Sequence, residues 1–166
     1  MQSNSDKLGL QDRRGLAMKT VHDVMQHKLR GGGNGDVFSI APIASVYEAI
    51  EMMSDCHVGA LPVMIDDKLV GIVSERDYAR KVILKDKSSK QTRVSEIMTR
   101  EVITVAPRDR VSACVDLMTN HHIRHLVVVE EGVVTGMLSL RDLFNEIIDE
   151  QSETIGQLEG YIRGGQ

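Results

Sequence analysis

Tryptophan is absent from these 166 residues, and aromatic side chains make up only 3% of them. So few rings leave no stacking platform of the kind that binds single-stranded nucleic acid. Nor is there an excess of positive charge. Lys and Arg number 20 against 24 Asp and Glu, for a net charge of −4 and a pI near 5.9. No global basic field recruits DNA or RNA, so phosphate binding has to come from local charge. Only two cysteines occur, Cys56 and Cys114, without CxxC spacing and inside apolar helical patterns. That usage fits a reducing, intracellular compartment. No stretch of about 18 apolar residues could span a membrane. The polar start, MQSNSDKLGLQDRRG, lacks the apolar stretch of a signal peptide. A soluble, cytoplasmic protein is the expectation.

What the chain does have is hydrophobic content of 42%, with nine methionines. That is enough for an aliphatic, sulfur-rich core. It also has a repeat. GIVSERD at 71–77 returns as GMLSLRD at 136–142, 65 positions on. The same shift aligns VFSIAP (37–42) with VITVAP (102–107), and SVYEAIEMMSDCH (45–57) with RVSACVDLMTNHH (110–122). Between 37–82 and 102–147, about 12 of 46 positions are identical. VHDVM (21–25) resembles VSEIM (94–98) at an offset of 73, so QHKLRGGGNGD carries roughly eight extra residues in the first copy.

Each copy reads as strand, helix, strand, strand, helix. Val46, Ala49, Ile50 and Met53 follow the i, i+3, i+4, i+7 spacing of an amphipathic helix, as do Val111, Cys114, Val115 and Met118. Pro42 and Pro107 end the preceding strands. LPVMI and LVGIV flank a turn at Asp66-Asp67, and LVVVE and VVTGML flank one at Gly132, which predicts two hairpins. These runs are nearly all apolar, so both sheet faces should be covered, one by helices and one by the other copy. A unit of about 55 residues buries too little surface alone. The expected organisation is a polar segment and helix over 1–18, a first repeat over 19–85, a linker over 86–93 (DKSSKQTR), a second repeat over 94–149 and a helical extension over 150–166.

In each copy the serine and aspartate of SxxD suit a helix start, the serine as N-cap and the acid reaching back three residues later. Capping does not account for Arg76 and Arg141, which recur at one offset. A serine hydroxyl, free backbone N–H groups and an arginine at a helix N-terminus suit an anion. An aspartate accepting two hydrogen bonds suits a vicinal diol such as ribose O2′ and O3′. Together they describe a nucleotide.

The doubled motif, the ALPVMID and HLVVVEE strands and the VHDVM and VSEIM leads resemble the tandem CBS-domain pair, or Bateman module, over about residues 20–148. The resemblance implies an α+β fold, with the two repeats packed sheet to sheet. It also implies a regulatory role in which an adenosine nucleotide (AMP, ADP, ATP, NAD or S-adenosylmethionine) is sensed in a cleft between the repeats, changing conformation or partner binding. AMP and NAD are the first choices.

In such pairs the aspartate holds the ribose and the serine and basic residues face phosphate. Carried over, Ser139, Arg141 and Asp142 would face Gly59 and Ala60, with Gly35 and Asp36 near the base. Ser74, Arg76 and Asp77 would face Arg124 and His125, with Val102 and Ile103 near the base. Since VGALPV lacks the Arg-His pair of IRHLVV, the Ser74 site is expected to handle more phosphate charge or bind more tightly, tempered by the adjacent acid Glu75.

Other features weigh less. LRGGGNGDVF lacks the GK[ST] ending of a Walker loop and reads as a connector. Cys56, His57, His121, His122 and His125 complete no plausible metal set, and no nucleophile–base–orienter arrangement suggests an enzyme. A nucleotide-processing enzyme and a structural module whose motif is only capping remain the alternatives. No metal, nucleic-acid or membrane partner is expected. A late amphipathic run with Leu143, Ile147, Ile148, Ile155, Leu158 and Ile162, and a helix across roughly 10–28, could serve a homodimer or a protein target.

Overall fold

The computed structural model describes residues 19–31 and 35–164. Helix α1 (Val21–Arg30) is followed by α2 (Val46–Asp55), strands β1 (Ala60–Ile65) and β2 (Lys68–Ser74), and α3 (Glu75–Lys81). A short 3-10 turn, Ile83–Lys85, leads to α4 (Val94–Ile97). The second copy then supplies β3 (Thr104–Val105), α5 (Val111–His121), β4 (His125–Glu130), β5 (Val133–Ser139) and α6 (Leu140–Arg163). This is an α+β fold made of two repeats.

Local chemistry accounts for most boundaries. Thr20, Ser45, Ser74 and Ser139 are N-caps closed by Asp23, Glu48, Asp77 and Asp142 three residues on, each a reciprocal capping box. Thr20 starts α1 at Val21, later than the expected helix over 10–28, whose residues up to 18 lie outside the described ones. The β1–β2 hairpin turns on Asp66 and Asp67, with φ of 46° and 63°, and the β4–β5 hairpin on Glu131 and Gly132, at 49° and 80°. Two successive left-handed residues give the turn whose twist matches paired strands. His57 and His122 hold the same conformation, φ 54° and 53°, just past α2 and α5. These doubled histidines mark helix ends.

One expected strand is missing. VFSIAP makes a single parallel bridge, Ile40 to Val63, whereas its counterpart includes β3. The Ile40 N–H donates to the Pro62 carbonyl at 3.1 Å, and the Ile40 carbonyl accepts from the Met64 N–H at 3.0 Å. Extending that ladder requires an N–H at residue 62, and proline has none. In the second copy the same position is Val127, whose N–H reaches the Ile103 carbonyl at 3.5 Å. A three-stranded sheet ordered β3-β4-β5 results, against two strands for β1-β2.

The leading segments are exchanged. Val94 N–H donates to the Ala44 carbonyl (2.9 Å), Ser95 N–H to Pro42 (3.0 Å) and Val46 N–H to Thr92 (2.9 Å). Shifted by the repeat, the same three bonds recur: Val21 to Asp109 (2.9 Å), His22 to Pro107 (2.8 Å) and Val111 to Lys19 (3.0 Å). VSEIM therefore packs on the first copy, and VHDVM on the helices of the second. The chain accordingly resolves into two compact units that differ from the two repeats. One holds 35–104 with 125–137; the other holds α1, 105–124 and everything from Leu138 on.

In the first of these units, Val46, Ala49 and Met53 of α2 meet Leu61, Val63 and Val73 of the hairpin and Val94, Ile97 and Met98 of the exchanged segment. Ala60 through Val63 are all buried, so both faces of β1 are covered there. In the other unit Val111, Cys114 and Met118 are the buried stripe of α5.

Candidate functional site

Each doubled motif sits where a strand ends and a helix begins. In the first, the Ser74 N–H and Oγ both donate to Asp77 Oδ2, at 2.9 and 2.8 Å, and the Asp77 N–H returns a bond to Ser74 Oγ at 3.2 Å. The other carboxylate oxygen, Oδ1, takes Lys81 Nζ at 2.7 Å. Lys81 also donates to the Ile97 carbonyl at 2.6 Å. In the second motif the Ser139 N–H donates to Asp142 Oδ2 at 2.8 Å and the Asp142 N–H to Ser139 Oγ at 3.1 Å. Lys28 Nζ, from α1, reaches the same Oδ2 at 3.2 Å. The serine–aspartate pairing expected from sequence is present in both copies.

Both motifs rest on the residue that precedes their own hairpin. The Glu75 N–H donates to the Gly59 carbonyl at 3.0 Å, and the Leu140 N–H to the Arg124 carbonyl at 2.9 Å. A Cβ on Gly59 would lie 3.4 Å from both Cε1 and Nε2 of His125 and 3.5 Å from Glu75 Oε2. The imidazole of one repeat thus lies against the backbone that carries the motif of the other, so His125 and Glu75 flank the same glycine. Ala60 is buried; Arg76, Val102 and Ile103 are half-buried; Gly35, Asp36, Arg124 and Arg141 are exposed.

The lysines paired with the two aspartates are the groups that sequence reading missed. Lys81 stands four residues after Asp77 on one helix face, a spacing that could have revealed it. Lys28 lies 114 positions from Asp142, and no local pattern signals it.

Around the second motif, α1 and α6 leave a groove of about 310 Å³ lined by Val24, Lys28, Asp142 and Asn145 among others. One turn further along α6, Glu146 is buried and takes both Lys19 Nζ and His27 Nδ1, the latter at 2.7 Å. Burial by itself would raise the Glu146 carboxyl; the hydrogen bonds and charges of Lys19 and His27 outweigh it and hold the group low. The Glu146 hydrogen bond, with the Glu146 and Asp149 charges, raises His27 above its ordinary value against burial and Lys19. A histidine whose pKa is higher folded than unfolded stabilises below its unfolded value and loses that effect as pH rises through the folded one. The thermal midpoint should therefore exceed that of His27→Gln at about pH 6, and the gap should shrink by about pH 8. A gap independent of pH would contradict the ion pair.

Cys114 is no candidate nucleophile: desolvation, with Asp109 adding to it, pushes its thiol up to about 11. Among the described residues no group of three or more His, Cys, Asp or Glu could hold a metal ion, and no helix is long and apolar enough to cross a membrane.

Comparison with known proteins matches this arrangement to a defined class. The CBS-domain family model matches twice, over 21–84 and 94–149, and the chain belongs to the CBS-domain family as a tandem pair. It is 36% identical over 168 residues to the CBS domain-containing protein CBSX3, mitochondrial, of Arabidopsis thaliana, spanning 98% of this chain and 81% of that protein. A CBS-domain structure from Burkholderia ambifaria MC40-6, assigned by name to signal transduction, superposes with a TM-score of 0.75 at 41% identity. It covers 80% of this chain and 96% of that one. A hexameric CBS-CP12 protein from bloom-forming cyanobacteria superposes at 0.66 and 26% identity, covering 76% and 66%.

Proposed function

We propose that this protein is a regulatory sensor of adenosine nucleotides, with AMP or NAD the first candidates, rather than an enzyme. The observation that carries the reading is the doubled helix start, in which each cap commits Oδ2 of the aspartate and leaves Oδ1 outside it. A carboxylate oxygen outside the cap, a serine hydroxyl and an arginine one turn apart are the groups that a ribose and a phosphate require. His125 beside Gly59 adds an imidazole next to the first motif. Ligand would act through its differential affinity for two states of the protein, read out by a partner or by self-association. Phe144, Ile148, Ile155, Leu158 and Ile162 are exposed along α6 and would serve a homodimer.

Thermal unfolding with AMP, ADP, ATP, NAD and S-adenosylmethionine tests this. The midpoint should climb with the concentration of at least one of them, and Asp142→Ala should remove most of that climb while costing about 1 kcal/mol through the lost cap. The rival reading, supported by the complete capping boxes, is that the motif only starts helices. It predicts the same stability loss and no nucleotide-dependent shift in any variant.

A further inference from the structure

The two motifs read alike, yet their aspartates do not offer the same number of acceptor sites. A carboxylate has about four lone-pair positions, two on each oxygen. At Asp77, Ser74 N–H and Oγ fill both positions on Oδ2, and Lys81 takes one on Oδ1 at 2.7 Å, leaving one. The Lys81 side chain is 45% exposed, yet its ammonium has two acceptors. It is clamped between Asp77 and the Ile97 carbonyl at the end of α4, 2.6 Å away. At Asp142, Ser139 N–H and Lys28 both go to Oδ2, and among the described residues Oδ1 stands outside cap and ion pair with two positions open. Two is the number that the paired hydroxyls of a cis-diol bring.

The difference has a plain origin in the chain. The residue 65 positions after Lys81 is Glu146, an acid that cannot close the second aspartate and is itself held by Lys19 and His27. The cation on Asp142 comes instead from α1 and settles on the oxygen that the cap already uses.

We infer that Lys81 is a specificity-determining residue which keeps Asp77 from taking a diol, so that of the two aspartates for which the family implies ribose, Asp142 is the one that accepts it. This rests on the nucleotide reading above and ranks the two sites for ribose capture. The order is the reverse of the one the Arg-His pair alone suggests for phosphate. A ligand reaching Asp77 has to dislodge an ammonium held at two points, whereas one reaching Asp142 displaces none of the described residues from Oδ1.

Titration calorimetry of the full chain with AMP and with 2′-deoxy-AMP tests the assignment. In the wild type, AMP should bind as one class, and 2′-deoxy-AMP should bind about tenfold or more weakly. Asp142→Asn, which keeps an acceptor for the cap, should lose that class, and Asp77→Asn should retain it. Lys81→Met should add a second AMP-binding event, which Asp77→Asn in the same chain removes. Loss of binding in Asp77→Asn but not in Asp142→Asn, equal loss in both, or no new event in Lys81→Met would each overturn the inference while leaving nucleotide binding intact. Absence of AMP binding in the wild type and in every variant would overturn the inference, and the nucleotide reading falls with it only if ADP, ATP, NAD and S-adenosylmethionine also leave the thermal midpoint unmoved.

Discussion

Replacing Gly71 by valine is expected to cost about 3 kcal/mol or more, measured as a fall in the urea midpoint and in the thermal midpoint. Gly71 is buried in β2 where the exchanged segment crosses it. A Cβ there would lie 2.7 Å from Met98 Sδ, 3.1 Å from Met98 Cγ and 3.1 Å from the Thr99 carbonyl oxygen. The thioether is the flexible end of a side chain and could swing aside. The carbonyl is backbone, and it is pinned, because Ile72 and Thr99 exchange two hydrogen bonds of 2.9 Å each. Alanine should therefore already destabilise, by roughly 1 to 3 kcal/mol, and the γ-methyls of valine should add to it. Gly156 supplies the control. It stands in α6 with nothing within 4 Å of a new Cβ. Gly156→Ala should be neutral or stabilise by about 0.5 to 1 kcal/mol, since alanine is the better helix former. If Gly71→Val proved as mild, the glycine that opens the repeated motif would have no packing role.

The second large effect belongs to Leu61 and Leu126, which occupy the same position in the two copies and are both fully buried. Truncating either to alanine removes three buried carbons and leaves a cavity in a packed interior. The expected loss is about 3 kcal/mol for each, within the range seen when a buried leucine becomes alanine. Leu84→Ala, at 75% exposure, should move the urea midpoint little. Similar losses at Leu61 and Leu126 would mean that the copies share a packing role as well as a pattern. A loss under 1 kcal/mol at one of them would mean that its surroundings collapse onto the gap.

Much of this was legible in the amino acids. The i, i+3, i+4, i+7 spacing marked the buried stripes of α2 and α5, and Val46, Ala49, Val111 and Cys114 are fully buried. The SxxD spacing announced two helix starts, and both boxes close. Both hairpin turns fall on the expected residues. Each of these features is decided within a few residues, by backbone preference or by a side chain reaching its own neighbourhood.

Other features escaped because their causes lie far apart in the chain. Pro62 looked like an ordinary member of an apolar run, and its missing N–H matters only because Phe38 and Ile40 approach it in parallel. Gly71 could have been a passive strand glycine until Met98 and Thr99 were seen to cross it. The expected confrontation of His125 with the first motif appears as a flank on Gly59, shared with Glu75, which no repeat alignment could place.

By itself, then, the sequence determined the doubled unit, its helix and strand periods, its caps and turns, and the identity of the serine–arginine–aspartate clusters. All of these are short-range consequences of residue type and spacing. Only tertiary structure decided that VHDVM and VSEIM trade places, that the Ile97 carbonyl gives Lys81 a second acceptor, and that Lys28 approaches Asp142 from 114 positions away. Contacts across such separations depend on how whole elements pack. The acceptor sites left on two identical side chains can therefore differ where their letters do not.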